Sequence, residues 1–146
     1  MDNLAAANSP AASGLPAPPS VLIIDDNKGL ASAMAKVLDA AGYRAAVFHN
    51  GQDALNYVAG ATSNGDSMRP VAALVDIHLP DIHGLVVSAK LREALGPAVP
   101  IIIISGDTSM ANLNALPHVG ATYFFSKPIS AQTLLARLRE SIGHSR

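Results

Sequence analysis

Five polar side chains stand just beyond short apolar runs of this chain, and their types suit one chemistry. Asp25 and Asp26 follow VLII at 21–24, Asp76 closes VAALVD at 71–76, Ser105 closes PIIIIS at 100–105, and Lys127 follows TYFFS at 122–126. Alone, the aspartates read as turn or cap residues, Ser105 as a loop hydroxyl and Lys127 as a solvated surface lysine. As a set they supply what phosphoryl transfer to a carboxylate needs. Three close carboxylates repel one another, and a hard divalent cation such as Mg²⁺, or Mn²⁺, relieves that repulsion through oxygen ligands. A free oxygen of Asp76 can then act as nucleophile toward phosphorus. The charge on the three equatorial phosphoryl oxygens calls for a cation, the Lys127 ammonium, and the Ser105 hydroxyl or a backbone N–H.

The elements around these residues explain how they could meet. Val21–Asp25 is a β-branched run. Leu30, Met34, Val37, Leu38 and Ala41 then recur at helical spacing, with Gly42 as the stop. Tyr43–Phe48 predicts a second strand, and Asn50 caps a helix over Gln52–Ala59. The stretch 61–70 is polar and rich in turn residues. Val71–Asp76 predicts a third strand; Leu85, Val86, Ala89, Leu91 and Leu95 mark a helix; Pro100–Ser105 predicts a fourth strand. A weak helix is expected over 107–116, ended by Pro117, then a fifth strand over Thr122–Ser126 and a last helix capped by Ser130 and carrying Leu134, Leu135, Leu138 and Ile142. Five strands alternating with five helices imply right-handed βαβ units. The expected fold class is α/β, a flavodoxin-like (βα)5 parallel sheet in the order 2-1-3-4-5 with helices on both faces. Ligands of such sheets bind beyond the carboxyl ends of the strands, where the first and third strands are neighbours. That crevice would collect Asp25, Asp26 and Asp76, with Ser105 and Lys127 at its rim.

Composition narrows the function classes. The 146 residues are 49% hydrophobic and 14% charged with a formal net charge of −1, so no overall field recruits nucleic acid or an anionic membrane. There is no cysteine, which excludes disulfides, thiolate catalysis and Cys-based metal sites. Residues 1–20 lack Lys and Arg, have no sustained apolar stretch, and contain Pro10, Pro16, Pro18 and Pro19; we read them as a disordered tail rather than a signal peptide. The longest apolar run, VPIIII at 99–104, is strand-sized. The expectation is a cytoplasmic protein with a domain over 21–143 and a short end at 144–146, binding neither nucleic acid nor membrane.

The runs VLIIDDNKGL, ALVDIHLPDIHG, IIIISGD and YFFSKPIS, in this order and at these separations, resemble the receiver domain of bacterial response regulators over about residues 20–143. The resemblance implies that Asp76 is the phosphoacceptor and that Asp25 and Asp26 are the metal-binding acidic pair. It also implies that the backbone carbonyl of His78 is a metal ligand, Ser105 the switch hydroxyl, Phe124 the switch aromatic, Lys127 the phosphate-contacting lysine and Lys127–Pro128 a cis bond. The phosphoryl donor would be a sensor histidine kinase or a histidine phosphotransfer protein. His78 and Asp107 depart from common choices two residues after the acceptor and the switch hydroxyl, and would modulate the phosphate's lifetime. Phe124 stands where tyrosine is frequent. With Ile142 close to the last residue, the expectation is a stand-alone switch signalling through protein contacts. A homodimer through the 107–116 helix, the fifth strand and the last helix is one such contact.

Other readings fit less well. A phosphorylation-independent pseudo-receiver would not need the full acidic set. An aspartyl-phosphate hydrolase of the haloacid-dehalogenase type wants an acid two residues after its nucleophile, and Asn27 stands there. A flavin carrier wants a phosphate-cradling loop where DDNKGL places negative charge. A transition-metal site using His78 and His83 is disfavoured by three carboxylates suited to Mg²⁺. His49 and His118 read as surface or loop residues.

Overall fold

The computed structural model describes residues 18–63, 69–106, 114, 117 and 120–145. Among them the elements run β1 (Ser20–Ile24), α1 (Lys28–Ala40), β2 (Arg44–Phe48), α2 (Gly51–Ser63), β3 (Ala72–Asp76), α3 (Gly84–Leu95), β4 (Ile101–Ser105), β5 (Tyr123–Ser126) and α4 (Ala131–Ser145). The helix expected over 107–116 and His118 lie outside the described residues. All strand pairs are parallel, in the order β2-β1-β3-β4-β5, as the alternation of apolar runs and helical periods predicts.

The sheet separates two apolar layers because side chains of a strand alternate between its faces. On one side Val21 and Ile23 pack with Ala31, Met34 and Leu38 of α1 and with Leu134, Leu138 and Ile142 of α4. On the other Leu22 and Ile24 pack with Ala54 and Val58 of α2 and with Val87, Leu91 and Leu95 of α3. Every residue of β1, β3 and β4 is buried. Central parallel strands covered on both faces require this, and each large side chain so buried contributes about 1.5–3 kcal/mol.

The helix ends follow from local chemistry. The Asn27 carboxamide accepts from the Leu30 amide at 3.0 Å and starts α1. Gly42, at φ 98°, ends it: the Gly42 and Tyr43 amides donate back to the Asp39 and Leu38 carbonyls at 3.2 and 3.0 Å. Asn50 accepts from the Asp53 amide at 2.9 Å, and Ser130 accepts from that of Thr133 at 3.1 Å, each the expected N-cap.

Two details differ from the sequence expectation. Helix α2 runs to Ser63, so Ala61–Ser63 are helical rather than loop. Thr62 is accommodated because its hydroxyl donates to the Val58 and Ala59 carbonyls. On α3 the buried face holds Leu85, Val87, Ser88, Leu91 and Leu95, whereas Val86 is 45% exposed. Consecutive valines offered two registers, and packing of Val87 against the sheet chose one. No helix among the described residues is long and apolar enough to cross a membrane.

Candidate functional site

Strand register levels the polar residues. Ile24 pairs with Val75, so Asp25 stands beside Asp76, and Asp76 itself pairs with Ile104, one residue before Ser105. Ser105 pairs with Ser126, which brings Lys127 to the same edge. The Lys127 amide donates to the Ser105 carbonyl at 2.9 Å and extends that alignment past the strand. The Lys127–Pro128 bond is cis.

At this edge Asp25, Asp26 and Asp76 each offer a carboxylate oxygen within 4.8 Å of the others. Asp25 and Asp76 are buried and Asp26 is exposed. The Lys127 ammonium lies between the two buried acids, 3.1 Å from Asp25 Oδ2 and 3.2 Å from Asp76 Oδ2. The remaining oxygens are oriented by the backbone: the Asn27 amide donates to Asp25 Oδ1 at 2.9 Å and the His78 amide to Asp76 Oδ1 at 3.4 Å.

The electrostatics follow from that geometry. Burial raises the Asp76 pKa above its ordinary value; Lys127 opposes this, and the neighbouring Asp25 charge reinforces it. For Lys127 burial favours the neutral amine, but Asp25 and Asp76 together outweigh it and the pKa is raised. A buried carboxylate whose charge is disfavoured, beside two more carboxylates, suits a site where additional positive charge arrives. The donor set is all hard oxygen, which fits Mg²⁺.

The other predicted residues differ in burial and in partners. Ser105 is fully buried at the end of β4. Phe124 is half-buried and packs with Ala121 against Ile77, Leu85 and Ile103. His78 is exposed, its ring edge-on to that of His83 with centroids 6.2 Å apart. Neither histidine joins the carboxylate group, which among the described residues consists of the three aspartates. Asp107 lies outside the described residues.

Three contributors escaped the sequence reading. Gly84 begins α3 directly against the end of β3: a Cβ there would strike the Asp76 carbonyl oxygen and the Ile77 Cα, and its amide donates to the Ile77 carbonyl at 2.6 Å. A glycine after a strand and loop does not by itself signal this close approach. His49 is indeed in a loop, yet it is half-buried and its Nδ1 lies 3.0 Å from the Asp25 carbonyl oxygen. Asp81 accepts from the Gly51 and Gln52 amides at 2.8 and 2.9 Å and from its neighbour Ile82 at 2.8 Å. Those backbone donors hold its carboxyl below the ordinary carboxylate range. No local spacing signals a bond that reaches back thirty residues.

Comparison with known proteins identifies the family. The family model described as response regulator receiver domain matches residues 21–139. The chain belongs to that family. Response regulator MprA of Mycobacterium avium is 30% identical over 119 residues, covering 82% of this chain and 49% of the relative. MprA of Mycobacterium ulcerans is also 30% identical, over 82% of this chain and 48% of the relative. The chain thus spans about half the length of the curated relatives it matches. Among solved structures, a CheY-like response regulator receiver domain protein from Methanospirillum hungatei superposes with a TM-score of 0.78 at 24% identity, over 88% of this chain and 96% of its own. A response regulator from Burkholderia pseudomallei, crystallised with a phosphorylated aspartic acid, a calcium ion and citrate, superposes with a TM-score of 0.71 at 27% identity, over 86% of this chain and 69% of its own.

Proposed function

We propose that this receiver domain takes a phosphoryl group onto Asp76 from a phosphohistidine of a sensor histidine kinase or a histidine phosphotransfer protein, and acts as a switch rather than as an enzyme with a turnover substrate. The observation that carries this is the pocket itself: three carboxylates within 4.8 Å, two of them bridged by the Lys127 ammonium. The phosphorylated aspartic acid and calcium ion of the Burkholderia relative point the same way.

Asp25, Asp26, Asp76 and the His78 carbonyl would hold Mg²⁺ or Mn²⁺, which supplies neutralising charge to a phosphoryl oxygen when bound. Asp76 provides the attacking carboxylate oxygen. Its bond to phosphorus forms as the phosphorus–nitrogen bond breaks, and the imidazole of the donor leaves with the electron pair. Lys127 shifts its contact from the acids to the new phosphoryl oxygens, and the Ser105 hydroxyl donates to another. Phe124 then leaves its packing against Ile77, Leu85 and Ile103 for the space that Ser105 vacates, so the surface near β5 and α4 changes. A shift of a few kcal/mol in relative stability suffices for such a two-state change. Signal leaves through protein contacts on that surface. His78 and Asp107 set how long the phosphate survives.

The test is incubation with acetyl phosphate and Mg²⁺ followed by intact-mass measurement. A hydroxylamine-labile gain of one phosphoryl group on the parent, absent from Asp76→Asn, supports the proposal. No adduct on the parent favours a phosphorylation-independent interaction module, and rapid release of phosphate from many small esters favours a hydrolase.

A further inference from the structure

The segment between β3 and α3, residues 77–83, carries the His78 carbonyl and has no regular secondary structure. Its two ends are pinned by the Gly84 amide donating to the Ile77 carbonyl at 2.6 Å, and Leu79 and Ile82 pack on the second apolar layer. A polar tie between its tip and the rest of the molecule is Asp81. Both oxygens of that carboxylate are used on the first turn of α2, one on the Gly51 amide and one on the Gln52 amide. The seat is close: a Cβ on Gly51 would fall 2.8 Å from Val87 Cγ2, 3.2 Å from Ile82 Cβ and 3.4 Å from Asp81 Oδ1. The same corner is tied to the other side of the pocket through His49 and the Asp25 carbonyl at 3.0 Å. The β2–α2 corner is therefore a bracket with one arm on the strand end that carries Asp25 and Asp26 and the other on the loop that follows Asp76.

We infer that Asp81 is a positioning residue: by gripping the first turn of α2, it sets where the 77–83 loop and its His78 carbonyl stand relative to the Asp25–Asp26 pair. The inference rests on the proposed metal-assisted phosphoryl acceptance at Asp76. Residues that orient metal ligands from behind control affinity without touching the ion. A carboxylate suits the task because two adjacent amides at a helix start need two acceptor oxygens on one rigid group. Alanine offers neither oxygen and asparagine offers one.

The experiment uses the full chain, freed of metal, as parent, Asp81→Ala, Asp81→Asn and Ser130→Ala; the last removes an N-cap of α4 on the far side of the sheet. Mg²⁺ affinity is measured by calorimetric titration, and exchange of the Gly51 and Gln52 amides by NMR without metal. Asp81→Ala is expected to weaken Mg²⁺ binding by about 10-fold and to speed exchange of both amides. Asp81→Asn, with one acceptor left, falls between it and the parent, and Ser130→Ala keeps the parent affinity. Should Asp81→Ala not fold, Asp81→Asn carries the test with an intermediate loss. Parent-like Mg²⁺ affinity in the Asp81 variants, or an equal loss in Ser130→Ala, overturns the positioning role alone. A parent that does not bind Mg²⁺ overturns the proposed function together with it.

Discussion

Two partly buried cations hold opposite ends of the same sheet, and they hold different kinds of partner. Lys127, beyond the carboxyl end of β5, sits between the Asp25 and Asp76 carboxylates. Arg92, on α3, works at the amino ends of β4 and β5. Its guanidinium donates to the Gly96 and Val99 carbonyls at 2.7 Å each and to the Gly120 carbonyl at 2.6 and 3.2 Å. Gly120 is glycine there for two reasons: its φ is 74°, and a Cβ would lie 2.8 Å from Arg92 Nε. The planar fork of arginine matches several fixed carbonyls at once, whereas lysine is a mobile point charge. One end is thus built from ionic contacts, which the proposed phosphoryl transfer would rearrange. The other is built from neutral backbone acceptors with nothing to exchange. Burial lowers the Arg92 pKa, while paired acids raise that of Lys127, which reflects the same difference.

The largest expected break comes at the seam behind the pocket. Gly84→Ala forces a methyl group onto the Asp76 carbonyl, and urea unfolding should show a loss of about 3 kcal/mol. A near-neutral result would mean that the start of α3 moves freely relative to β3. Next is Arg92→Ala, with an expected loss of about 2 kcal/mol as the three carbonyls lose a charged donor, while the rate of acetyl phosphate labelling stays within about twofold. A large fall in labelling would erase the distinction between the two ends.

Lys127→Met should reverse that pattern, costing about 1 kcal/mol in metal-free protein but slowing labelling at least about 10-fold. Its pH dependence has a definite sign. Because the folded Lys127 pKa lies above its ordinary 10.5, the stability it contributes is fully present below 10.5 and is lost as pH rises through the folded value. The gap between parent and Lys127→Met in thermal melts should therefore close at alkaline pH. Smallest is Val86→Ala on the exposed face of α3, expected within about 0.5 kcal/mol of the parent.

Much of this was legible in advance because it depends on local pattern. Runs such as IIIIS at 101–105 mark strands buried on both faces, and Asn27, Gly42, Asn50 and Ser130 mark helix ends by their own side-chain or backbone chemistry. The α3 face was only half legible, since Val86 and Val87 are chemically identical and packing alone separated them. The extent of α2 was underestimated because its last turn carries Thr and Ser, whose helical propensity is weak.

For the pocket, the sequence by itself determined which side chains end each strand: Asp25, Asp26, Asp76, Ser105 and Lys127 each sit next to an apolar run whose length and composition set the strand. Side-chain chemistry and strand ends are properties of neighbours in the chain. Only the tertiary structure decided the distances, because parallel register, not spacing, levels Asp25 with Asp76 and brings Lys127 between them. It alone decided the roles of His49, Asp81, Gly84 and Arg92 as well. Each acts on backbone atoms of a distant or merely adjoining segment, and a backbone amide or carbonyl looks the same whatever residue carries it.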